Sequence, residues 1–105
     1  MKKILTAATI FALSLGANAM AGSHSKTIKM GIILGFTGPI ESLTPAMAAS
    51  AELAFKEASD SGSLLNGSKI EVVRADSTCV DSAAATAAAE GVISQGVAAI
   101  MGADC

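Results

Sequence analysis

The sequence has no tryptophan and no tyrosine, and only three phenylalanines in 105 residues. Two of these, Phe36 and Phe55, lie beyond the first 21 residues. Alanine is the main apolar residue, with 22 copies. A domain this short buries only about 60% of its unfolded surface, and alanine leaves it little to bury. Histidine is equally scarce. His24, the single copy, sits in a polar lead-in (GSHSKT, 22–27) and reads as a solvated side chain. A Ser-His-Asp set therefore cannot be assembled, and no enzyme activity is expected. Basic residues are outnumbered, giving a net charge of −2. That excludes the clustered basic face that nucleic acid requires.

Long apolar runs are also missing. The longest candidate, Ile4 to Leu15, is about a dozen residues, whereas a membrane span needs roughly 20. It follows Met1-Lys2-Lys3 and precedes two overlapping small-residue patterns, Ala17-Asn18-Ala19 and Ala19-Met20-Ala21. These are the three parts of a secretory signal peptide. Residues 1–21 are expected to be the leader, cleaved after Ala19 or Ala21, and the remainder is expected to be exported and soluble. No cysteine stands at the cleavage site to take a lipid.

What is present is organised around Ile28–Pro39 (IKMGIILGFTGP). Its first half becomes almost wholly apolar, as a strand buried on both faces of a parallel sheet does. Gly35-Phe36-Thr37-Gly38-Pro39 then forces a tight turn. Turns just past the carboxyl end of a central parallel strand are where α/β proteins hold small ligands, so Thr37, Gly38 and Pro39 are read as one wall of a cleft.

Thr44-Pro45 reads as a helix start, with threonine at the N-cap and proline in the first turn. The helix is expected to run to about Ser59, with Met47, Ala51, Ala54, Phe55 and Ala58 as its apolar stripe and a Glu52–Lys56 pair outside. Asn66-Gly67 marks a turn and Lys69–Ala75 a second strand, with Ile70, Val72 and Arg74 on one face. Asp81 or Ser82 can cap a second helix, Ala83 to about Gln95. That helix is nearly free of large side chains and can approach a sheet closely. Val97–Met101 is a third short strand. The class is α/β, a parallel sheet in βαβαβ order with the first strand central. Loops Gly35–Leu43, Asp76–Val80 and Gly102–Cys105 should then share one end of the sheet.

Gly62–Lys69 approaches the phosphate-loop pattern, but its lysine and hydroxyl residue are transposed and it leads into a strand rather than out of one. The glycines at 31, 35 and 38 do not form a dinucleotide fingerprint, so no cofactor is expected. Asn66-Gly67-Ser68 fits a glycosylation sequon that the turn already explains. Cys79 and Cys105, one in each of two loops, read most simply as a disulfide in an exported protein. A metal pair or catalytic thiols would need a histidine or Cys-x-x-Cys partner that is missing. Asp76 and Asp104 end the second and third strands. They are read either as acids facing each other across the cleft or, for Asp76, as a loop cap.

With its leader, IKMGIILGFTGP, KIEVVRADSTC and VAAIMGADC in that order, the chain resembles exported substrate-binding proteins of ABC importers. The likeness is greatest to the leucine/isoleucine/valine-binding branch, and it is carried most specifically by Thr37–Pro39 and the Cys79–Cys105 spacing. The resemblance implies a type I periplasmic-binding fold of two lobes that close on a ligand. Residues 22–105 are then expected to be an incomplete N-terminal lobe, a fragment ending before the small hydroxyl residues that hold the ligand's carboxylate. It further implies a periplasmic location, a branched-chain or similar small polar amino acid as ligand, a membrane permease as partner and a monomeric complete protein. Leu43 would face the ligand and Asp104 would lie beside the site. Leu43 stands where some amino-acid binders have an aromatic, and Asp104 replaces an apolar residue. Both changes open the site to a cationic or amide group. The same fold also serves as a sensory module of receptors, which is the alternative reading.

Overall fold

The computed structural model describes residues 26–105. The leader expected at 1–21 and His24 lie outside the described residues. The elements are β1 (Thr27–Leu34), α1 (Thr44–Asp60), a 3-10 turn (Leu65–Gly67), β2 (Lys69–Asp76), α2 (Ser82–Ser94) and β3 (Ala99–Met101). The three strands form one parallel sheet in the order β2-β1-β3. The architecture is α/β, a parallel sheet in βαβαβ order with the apolar strand in the middle, as its composition requires. β3 is shorter than the apolar run, starting at Ala99 rather than Val97.

Ile32, Ile33 and Leu34 are buried. On one face Ile32 and Leu34 pack with Ala48 of α1, joined by the partly buried Phe36, Ala51, Phe55, Val72 and Met101. On the other, α2 comes in against Gly31. A Cβ at Gly31 would stand 2.5 Å from Val92 Cγ1 and 3.1 Å from Ile100 Cγ1. The alanine-rich helix thus does approach the sheet closely, through its one large buried residue, Val92.

The face of α1 differs from the expected stripe. Thr44, Ala48 and Ser59 are its buried residues, with Ala51 and Phe55 partly buried between them, whereas Met47 and Ala54 are exposed. The reason is polar. The Ser59 hydroxyl accepts from Ile70 N at 2.9 Å, and the Thr44 hydroxyl donates to the Gly35 carbonyl at 2.9 Å. Two hydroxyls bind the helix to the sheet, so a hydrophobic count misplaces the face by one residue. Thr44 is accordingly not the N-cap. Leu43 holds that position and makes no side-chain cap bond, with Pro45 in the first turn.

Glu52 does not pair with Lys56. It receives Arg74 in a two-pronged bond, Nε to Oε1 at 2.6 Å and Nη2 to Oε2 at 2.7 Å, the geometry that a guanidinium and a carboxylate favour. Lys56 turns to Asp60. Arg74 is thereby on the α1 side of the sheet with Val72, as alternation along β2 requires. The second helix opens as expected, with Asp81 Oδ1 accepting from Ala83 N at 2.8 Å and Ala84 N at 3.3 Å.

Candidate functional site

Parallel strands send all their carboxyl ends the same way, so the loops after β1, β2 and β3 meet at one rim. The turn after β1 is held from both sides by carboxylates, one at the end of β2 and one in the loop that follows β3. From β2, Asp76 accepts Thr37 N at 3.2 Å and the Thr37 hydroxyl at 2.6 Å. The same carboxylate accepts Thr78 N at 2.9 Å. From the β3 side, Asp104 accepts Gly35 N through both oxygens, at 3.1 and 3.3 Å. The acids flank the turn, each occupied with it. Asp76 therefore acts as a loop anchor, the plainer of its two readings. The Thr37 hydroxyl first, then the Thr78 N–H, hold the Asp76 carboxyl below the usual carboxylate range. Both favour the charged form.

The turn itself needs its glycines. Gly38 has φ +97°, and a Cβ there would run into the Thr78 carbonyl oxygen. Phe36 turns back toward the sheet, its ring centroid 5.4 Å from the Arg74 guanidinium carbon, within cation–π range.

Cys79 and Cys105 are joined as a disulfide, with their Cα atoms 5.4 Å apart. Their parent strands flank β1, and strands two places apart lie about 9.5 Å from each other. Both loops therefore lean inward over the end of β1. Gly35 permits this, because a Cβ at that position would collide with Cys79 Sγ. The bridge lies directly over the turn that the two aspartates hold.

Of the residues expected to bind ligand, Thr37, Gly38 and Pro39 are exposed at the rim. Leu43 is 60% exposed at the start of α1, and Asp104 is half-buried against Gly35. A hollow of about 310 Å³ lies beside the bridge, at the N-terminus of α2. Its walls include Ser77, Cys79, Val80, Asp81, Ser82 and Cys105, and none of the five expected residues lines it. The doubled attachment of Thr37 to Asp76 and the grip of Asp104 on Gly35 were not legible in the sequence. The available signal was an aspartate at the end of β2 and another in the loop after β3.

No curated protein matches the chain. Residues 27–104, from the first residue of β1 to Asp104, match the family model described as periplasmic binding protein, and the chain belongs to that family.

Proposed function

We propose that the chain is the solute-binding component of an ABC importer, exported to the periplasm, and that residues 22–105 belong to the first of its two lobes. Membership of a binding family without catalysis supports a solute-binding role. The observation that carries the finer reading is the rim. Three loops converge on the turn at Thr37–Pro39, and two carboxylates and a disulfide brace it. A wall built this way is preorganised, so a ligand meets it without having to order it.

The chemistry of the rim favours an amino acid, branched-chain or a similar small polar one. Asp76 stays ionised at neutral pH, and its partner Thr37 has an exposed hydroxyl oxygen with lone pairs to spare. Together with Asp104 they offer acceptors to an ammonium or amide group, and exposed Leu43 offers an apolar contact. Binding involves no bond making. Closure of a second lobe over the ligand would produce the shape that a membrane permease reads.

The test is a thermal-shift titration of the complete two-lobed protein with amino acids and small polar solutes. Occupancy at a hundred times Kd stabilises by about 2.7 kcal/mol, a shift of several degrees. A branched-chain or small polar amino acid is expected to give that shift, and Asp104→Ala to reduce it. If no amino acid raises the midpoint while another solute class does, the amino-acid reading fails. A transmembrane helix following the second lobe would instead make the protein a sensor.

A further inference from the structure

The disulfide and the rim carboxylate share one small volume. Cys79 Sγ, Cys105 Sγ and a carboxylate oxygen of Asp104 all lie within 4.8 Å of one another. Asp104 Oδ1 is 3.7 Å from Cys79 Sγ and 3.1 Å from Cys105 Sγ. The sulfurs of a disulfide have no proton to donate, so in the bridged state these are contacts rather than hydrogen bonds. The carboxylate is nevertheless fixed there, because Gly35 N–H holds both its oxygens. We propose that, once its disulfide is reduced, the rim becomes a chelating site for a zinc-like divalent cation, with Cys79, Cys105 and Asp104 as ligands.

The spacing fits. Zinc takes thiolate sulfur at about 2.3 Å and carboxylate oxygen at about 2.0–2.2 Å, so the ligand atoms of one tetrahedral ion stand about 3.6–3.8 Å apart. Asp104 Oδ1 already stands 3.7 Å from Cys79 Sγ and 3.1 Å from Cys105 Sγ, and opening the S–S bond lets the two bonded sulfurs move apart to the same spacing. The charges fit as well. Two thiolates beside a carboxylate repel one another unless a cation lies between them. Gly35 N–H supplies the outer hydrogen bond that orients a ligating carboxylate. Cys105 is exposed and borders the adjoining hollow, which leaves room for a water as fourth ligand.

The chemistry balances with an external dithiol. Two electrons and two protons pass to the bridge, the S–S bond breaks to two thiols, and the dithiol closes to its own disulfide. Metal binding then releases both thiol protons to solvent. The site is therefore gated by oxidation: it exists in the reduced chain and is closed in the bridged one.

The experiment titrates cobalt(II), then zinc, into the full chain after reduction with dithiothreitol and desalting under inert gas. A one-to-one complex is expected, with sulfur-to-cobalt charge-transfer absorption in the near ultraviolet that zinc abolishes. The oxidised chain should give no such band, and neither should Cys79→Ser or Cys105→Ser. Asp104→Asn keeps both thiols and is expected to weaken zinc binding at least about tenfold, the loss that even outer-sphere partners cause. No charge-transfer band in the reduced chain would overturn the proposal. So would equal affinity in Asp104→Asn, or equal affinity when the reduced chain is unfolded in guanidinium, since either would leave two thiols and no built site.

Discussion

The hydroxyl of Thr44, on the first turn of α1, donates to the carbonyl of Gly35 at the end of β1, at 2.9 Å and shielded from solvent. Through it the helix sets the height of the turn that follows the strand. Thr44→Val keeps the shape but removes the donor, leaving the buried Gly35 carbonyl without that partner. Such a loss costs about 1–3 kcal/mol. Urea denaturation of the variant should show a lower midpoint with an unchanged slope. A midpoint equal to that of the parent chain would mean that the bond contributes nothing.

Asp76 links the rim to pH. Its folded-state pKa is lowered, chiefly by the Thr37 hydroxyl. The stability it contributes is therefore fully present above the ordinary aspartate value of about 3.9. That stability is lost as pH falls through the lowered native value. Denaturation midpoints should fall in this acid range, and Asp76→Asn should flatten that part of the curve while lowering the plateau near pH 7. An acid limb as steep in the variant as in the parent would assign the effect to other carboxylates.

The strand order and the helix spans were legible because burial leaves a period in the sequence. Met30–Leu34 is apolar on both faces, and alternation with helices dictates parallel crossovers. The disulfide was legible because a pair of cysteines leaves one pairing. What escaped are contacts that no period encodes. Thr44 and Ser59 read as polar, yet they lie on the buried face of α1, because their hydroxyls bind backbone groups of β1 and β2. Glu52 has a suitable neighbour at Lys56 in sequence and a better one at Arg74 in space. The anchoring of Thr37 and Gly35 by Asp76 and Asp104 needs strands far apart in the chain to be neighbours, which topology supplies and local sequence does not.

The Cys79–Cys105 bridge closes a loop of 26 residues. By loop-closure entropy this stabilises by roughly 3.5 kcal/mol, a large part of the roughly 5–15 kcal/mol of a whole domain. Cys105→Ser, or reduction of the parent chain, should lower the unfolding free energy by about that amount in urea. The two treatments should agree, because they remove the same constraint. A loss of under about 1 kcal/mol would mean that the two loops are already held together by the aspartate contacts.

Gly38 gives the sharpest test of the rim. Its φ of +97° lies where side chains other than glycine are strained, and a Cβ would press on the Thr78 carbonyl oxygen, which is backbone and cannot rotate away. Residues in such regions cost about 1–3 kcal/mol, and relief requires the turn to separate from the β2 loop. Gly38→Ala should therefore act at two levels. Stability should fall by at least about 1 kcal/mol. In proton–nitrogen NMR spectra the amides of Thr37 and Thr78, both bound to Asp76, should shift together, while those of β2 near Lys69 stay in place. Movement of Thr37 alone would show that the turn is independent of the β2 loop, and the rim would then not be the rigid wall that the proposed lobe closure requires.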